Sequence, residues 1–191
     1  MGPSHVKKWQ GCHPVIHIVL INFRLDFIMR KREIILIVIL FCLDQGVKYL
    51  MEHLLLNGSI VLIPNFFSLQ WLENTGAAWS IFENQRIFLI LISLLCLIFL
   101  SIIKNTVKES RWKFFAVSFL YAGILGNLVD RVVFGYVKDY LSFTIFEYHF
   151  PVFNLADILI VVGAILFIVA VLKEEHNHGQ DRSNRRRKFK N

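Results

Sequence analysis

The sequence has few of the residues that most catalytic chemistries use. Its three cysteines, Cys12, Cys42 and Cys96, form no CxxC or other ligand spacing. That argues against a thiolate zinc site and gives no basis for a disulfide. Cys42 and Cys96 fall inside apolar runs, where a thiol behaves as a small hydrophobe. Of the histidines, only His149 lies near Asp139 and Asp157 in sequence. No spacing of His, Cys and carboxylates matches a metal site, so neither a metal nor another cofactor is expected. No serine sits in a nucleophile elbow and no cysteine has a polar setting, which removes the Ser–His and Cys–His routes. Charge is scarce too: 18% of residues are charged and 55% hydrophobic, with net charge +7. Much of the positive charge lies in the tail Arg182 to Lys190. Beside long apolar runs, such a tail reads as a cytoplasmic segment near anionic lipid, not as a nucleic-acid interface.

What the chain does have is length of apolar run. Four spans are predicted, about Ile34–Leu56, Ile87–Ile103, Phe114–Val129 and Val152–Leu172. Each is near the roughly 20 residues a helix needs to cross a bilayer. The expected fold class is an all-α membrane protein with four transmembrane helices. Ser59–Ile63 and Phe67–Leu72 are β-prone and separated by the turn signal Pro64-Asn65. The loop of about residues 57–85 is therefore expected to form a small extracytoplasmic β subdomain. Orientation follows Lys and Arg. They gather at Arg30-Lys31-Arg32, at Lys104 to Lys113 and after Lys173, and are fewer in the other two loops. Both termini are expected to be cytoplasmic, with Asp139 and the Asp157 end of the fourth span facing outward.

Residues 1–29 do not fit this scheme. Val15–Met29 is interrupted by Asn22, Arg24 and Asp26 and has no small-residue cleavage site. These residues are expected to stand outside the fold, with Met29 reading as a start. The membrane domain is then 30–173, followed by the basic tail 174–191.

Polar residues inside the spans are few and costly, roughly 2.5–3.5 kcal/mol for a carboxylate on insertion scales. Asp44 and Lys48 are four apart on one helix face near mid-bilayer, either a structural ion pair or part of the chemistry. Asn127, Asp130 and Arg131 end the third span, where a structural Asp130–Arg131 clamp is the favoured reading. Ala122 and Gly126 form a small-xxx-small pair for helix packing. Asn74 and Gly76 belong to a small-residue segment that is either a tight turn or a substrate-binding strand. Asn154 and Asp157 open the fourth span with no basic partner of their own, and Asp139 is the partner that topology offers. Two carboxylates that share a proton can activate water and protonate a leaving amine without a cofactor. An ion- or proton-coupled transporter is the rival, because buried Asp and Lys also mark translocation paths. Four short spans without a visible inverted repeat give it little room.

Four blocks, in order, then resemble a known family. They are Asp44-Gln45-Gly46-Val47-Lys48; Asn74 to Ser80; Gly123 to Arg131 followed by Gly135 to Tyr140; and Phe153-Asn154-Leu155-Ala156-Asp157. They are similar to the D-Q-x-x-K, N-x-G-A-A-aromatic-S, G-N-x-x-D-R…G-x-V-x-D and F-N-x-A-D blocks of the lipoprotein signal peptidases (signal peptidase II), bacterial membrane aspartic peptidases. Small departures are Ala122, where a second Gly is usual, and Ile158, where Ser is common. The resemblance implies that Asp139 and Asp157 are the catalytic pair. It gives supporting roles to Asp44, Lys48, Asn74, Gly76, Asn127, Asp130, Arg131 and Asn154. It further implies cleavage of diacylglyceryl-modified prolipoproteins just before the lipidated cysteine, in the bacterial inner membrane. Membrane lipid is the other partner expected, and the protein is expected to be a monomer.

Overall fold

The computed structural model describes the backbone of residues 14–77 and 81–188 and the side chains of residues 31–77 and 81–176. Within these limits four helices and four strands follow one another. Helix α1 is Pro14–Leu54, then β1 Ile60–Ile63 and β2 Phe67–Asn74, α2 Arg86–Ile103, α3 Arg111–Val133, β3 Val137–Ile145, β4 Tyr148–His149 and α4 Leu155–Lys188. Each helix, α2 together with the 3-10 turn Lys104–Thr106 that follows it, supplies one stretch long and apolar enough to cross a membrane: Lys31–Leu54, Arg86–Thr106, Arg111–Val133 and Leu155–His176. The four predicted spans are these four stretches, with boundaries moved by a few residues. The backbone of α1 starts well before Arg30, and that of α4 runs on into the basic tail as far as Lys188. Residues 1–13 and all side chains before Lys31 lie outside the described residues, so the expectation that 1–29 stand apart from the fold stays an expectation.

α3 is the hub, packing on α1, α2 and α4. Half of its membrane stretch is buried, against about a tenth to a fifth for the others, whose outward faces carry exposed Ile, Leu, Val and Phe. Exposed apolar faces of this size are what a helix offers to lipid. Close contact between α3 and α4 needs glycine. A Cβ built on Gly123 would lie 2.5 Å from the Ala156 carbonyl oxygen and 2.8 Å from Ile160 Cγ1. The predicted small pair Ala122 and Gly126 is buried, and Gly126 faces α1, where a Cβ would lie 2.5 Å from Asp44 Oδ2. Gly123→Ala should therefore cost about 1–3 kcal/mol by overpacking. A drop of several degrees in the melting temperature of the detergent-purified protein would register it. No drop would mean that the helices can part there freely.

The predicted β-prone loop forms β1 and β2. The other half of the sheet comes from the connection between α3 and α4, where no strand is expected from the sequence. The sheet is antiparallel in the order β1-β2-β3-β4, with Leu72 opposite Asp139, Glu73 opposite Lys138 and Asn74 opposite Val137. Because both connections cross at the same end of the bundle, the sheet caps that end. It delivers β3, and Asp139 with it, onto the ends of α1 and α3.

Candidate active site

Asp157 is placed by the way α4 begins. The first backbone N–H groups of a helix have no partner within it. Here each of the first three finds one. Leu155 N–H donates to the Tyr140 hydroxyl at 3.1 Å, Ala156 N–H to Asp44 Oδ1 at 3.0 Å, and Asp157 N–H to Asn154 Oδ1 at 3.0 Å. In return, Asn154 N–H donates to Asp157 Oδ2 at 3.1 Å. Asn154 and Asp157 thus form a reciprocal capping box, which fixes the carboxylate at the helix mouth. The positive end of the helix dipole favours a negative group there.

Asp139 comes from β3. Its Oδ1 accepts from Asn154 Nδ2 at 2.6 Å and its Oδ2 from Asn74 Nδ2 at 2.8 Å. Asn74 is itself oriented by its Oδ1, which accepts from Gly76 N–H at 2.9 Å. Asp157 Oδ1 accepts from Asn127 Nδ2 at 2.8 Å. Asn154 therefore touches both carboxylates, one through its amide and one through its backbone. Asp139 and Asp157 line one cavity of about 510 Å³, together with Asn74, Asn127, Arg131 and apolar residues of α4. A second, apolar cavity of about 580 Å³ between α2, α3 and α4 also reaches Asp157 and Arg131. Burial, and then the nearby charge of Asp157, push the Asp139 carboxyl up to about 7 from its ordinary 3.8, against the opposing hydrogen bonds of Asn74 and Asn154.

Behind the pair lies a buried charge cluster. Lys48 Nζ is 2.9 Å from Asp44 Oδ2, 2.8 Å from Asp130 Oδ2 and 3.0 Å from Asn127 Oδ1. All three charged side chains are at most 1% exposed. The Asp44–Lys48 ion pair is thus present, and it has a third member. This corrects the expected Asp130–Arg131 clamp: Asp130 pairs with Lys48, not Arg131. Successive residues of a helix point about 100° apart and do not face each other. Arg131 instead donates from Nη2 to the Gly76 carbonyl at 2.8 Å and from Nη1 to the Asn127 carbonyl at 3.5 Å. Its Nε is buried with no hydrogen-bond partner among the described residues.

Every sequence-predicted site residue is therefore in or directly behind this cavity: Asp44, Lys48, Asn74, Gly76, Asn127, Asp130, Arg131, Asp139, Asn154 and Asp157. Ala78, Trp79 and Ser80, from the same motif as Asn74, lie outside the described residues. Three further contributors are not among the predicted site residues. Gln45 Nε2 donates to Asp130 Oδ1 at 3.1 Å. Tyr140 caps α4. Arg86 donates to the Arg131 and Val132 carbonyls at 2.8 and 2.6 Å, closing the end of α3. Gln45 and Tyr140 stand inside the matching blocks. Arg86 reads in sequence only as a loop charge.

The chain is similar to known proteins over most of its length. Residues 36–173 match the family model for signal peptidase (SPase) II. The lipoprotein signal peptidase of Clostridium tetani is 40% identical over 149 residues, covering 75% of this chain and 94% of its own. That of Staphylococcus aureus is 36% identical over 149 residues, covering 76% and 90%. Two solved structures of a bacterial membrane enzyme superpose with TM-scores of 0.67 and 0.62, at 35% and 36% identity. They cover 77% and 75% of this chain and 91% and 94% of their own.

Proposed function

The chain belongs to the signal peptidase II family, and from that premise we propose that it removes the signal peptide of diacylglyceryl-modified prolipoproteins by aspartic-dyad hydrolysis. The observation that carries this reading is the single asparagine, Asn154, bound to both Asp139 and Asp157 at the wall of one cavity. One carboxylate of the pair takes a proton from water, whose oxygen attacks the scissile carbonyl carbon. The other, protonated, hydrogen-bonds that carbonyl oxygen. As the C–N bond breaks, the amine of the cysteine receives a proton from the pair. Asn127, Asn154 and Asn74 hold the two carboxylates in place, and Lys48, Asp44 and Asp130 hold together α1, α3 and the segments, β3 and α4, that carry them. Arg131 lines the same cavity, with Nε free to donate to the substrate backbone.

The surroundings suit a substrate that is itself partly in the membrane. Of the two cavities that reach Asp157, one takes its apolar lining mainly from residues 150–153 and α4, and the other from α2, α3 and α4. Such walls suit a signal helix and acyl chains. We place the sheet end of the bundle outside, and both termini in the cytoplasm, from the distribution of Lys and Arg.

Purified protein should cut a diacylglyceryl-modified prolipoprotein just before the lipidated cysteine and leave the unmodified precursor intact, as read by product mass. Equal cleavage of both forms would refute the substrate assignment.

The pH dependence follows from Asp139. The pair works with one proton, and with Asp139 raised to about 7 by burial and the nearby Asp157 charge, the pair loses that proton as pH rises through this range. kcat/KM, which reports the free enzyme, should therefore fall on the alkaline side from about pH 7, roughly tenfold per unit for a single ionisation. Stability should move in the same direction. Between the ordinary value of 3.8 and about 7 the folded state binds more protons than the unfolded one, so stability declines as pH rises through that window. Asp139→Asn should remove this part of the slope. A kcat/KM still rising at pH 9 would contradict the assignment.

A further inference from the structure

β3 carries Asp139 between two neighbours that do not line the cavity, one tied to α4 and the other to α1 and α3. On one side, Tyr140 accepts from Leu155 N–H at the start of α4. On the other, Lys138 is held twice. Its backbone N–H donates to Asp130 Oδ2 of α3 at 3.3 Å, and its Nζ lies 2.6 Å from Glu52 Oε2 of α1. The Lys138 side chain is only 7% exposed, and its ammonium sits 3.9 Å above the Phe134 ring. A buried lysine stem with its charge on a carboxylate and an aromatic face has little freedom.

Glu52 continues a stripe on α1. Asp44, Lys48 and Glu52 are spaced four apart and share one helix face. Asp44 binds the Ala156 N–H next to Asp157. Lys48 binds Asn127, which donates to Asp157. Glu52 binds Lys138, next to Asp139. One face of one helix thus reaches the supports of both carboxylates. Glu52 lies outside the four motif blocks, and Lys138 occupies a variable position of the third.

We propose that Glu52 and Lys138 form a positioning pair that sets Asp139 against Asp157; the inference rests on the peptidase reading above. Neither side chain touches the reacting atoms. Their ion pair clamps β3 to α1 and so fixes where the Asp139 carboxylate stands. A plain stabilising contact would leave turnover per folded molecule alone. A positioning contact lowers kcat and spares substrate binding.

The test compares the full-length wild-type protein with Glu52→Gln, Lys138→Met, the reversed pair Glu52→Lys/Lys138→Glu, and Asp139→Asn. Each single variant should lower kcat on the order of tenfold, short of the roughly hundredfold of a 1 Å displacement. KM should stay within about twofold. The reversed pair should regain most of the lost rate. Single variants with wild-type kcat, or a reversed pair as slow as they are, would overturn the proposal. In parallel, the infrared carboxyl band of Asp139, identified by difference against Asp139→Asn, should broaden in both single variants and sharpen in the reversed pair. An unchanged band overturns the positioning role whatever the enzyme turns over. A wild-type protein that does not cleave the lipidated substrate refutes the peptidase reading separately.

Discussion

Asp139→Asn and Asp157→Asn should each lower prolipoprotein cleavage by roughly three orders of magnitude or more, while the protein still inserts and folds. Each carboxylate does something its amide cannot. An Asn in either position neither takes a proton from water nor passes one to the leaving amine. The shape of the site survives, because Asn is nearly isosteric. At Asp139 its amide oxygen can still accept from Asn154 or Asn74, and at Asp157 from Asn127 or Asn154 N–H. The double variant should be no slower than the worse single one, because groups that act as a unit are not additive. Cleavage rates, measured beside melting temperature and elution volume, check all three statements. A single variant within tenfold of wild type would remove that residue from the reaction.

Lys48→Met should destabilise the protein more than any of the other single substitutions. It leaves Asp44 and Asp130, both fully buried, without their shared cation. Breaking a buried ion pair by removing one partner costs about 3–5 kcal/mol, because the remaining charge is not compensated. Asp130→Asn should cost less, since Lys48 keeps Asp44 and Asn127 as partners. Thermal unfolding in detergent gives the order directly. If Lys48→Met melted with the wild type, or Asp130→Asn were the worse of the two, the cluster would not be holding α1 to α3.

Much of the architecture is legible in the sequence because a membrane leaves few choices. A helix must be long and apolar to cross, so the four spans can be read from runs alone, and expensive carboxylates stand out against them. The strand β3 is as readable in principle. Val137, Asp139, Leu141, Phe143 and Ile145 alternate with Lys138, Tyr140, Ser142 and Thr144, a period of two. The charged Lys138 and Asp139 hide it by looking like the polar end of a helix.

Partnership is the part that sequence does not supply. Adjacency in the chain suggests Arg131 as the partner of Asp130, but adjacency on a helix separates side chains. The real partner, Lys48, lies on another helix and depends on the α1–α3 packing that Gly126 permits. The same limit hides the Glu52–Lys138 pair and the Tyr140 cap of α4. Their partners are distant in sequence, and no local pattern announces them. The capping role of Asn154 is different. Asn-x-x-Asp ahead of an apolar run is a helix-start signal, and here that signal is masked by its place in a family motif.

The most direct examination of dyad-activated water is a single turnover in ¹⁸O-water, with the oxygens of both product and enzyme followed by mass spectrometry. Attack by water predicts one ¹⁸O in the new carboxyl group of the released signal peptide and none in Asp139 or Asp157. A signal peptide that carries unlabelled oxygen after the first turnover, with ¹⁸O in either aspartate, would mean that the carboxylate itself attacks and would contradict the mechanism.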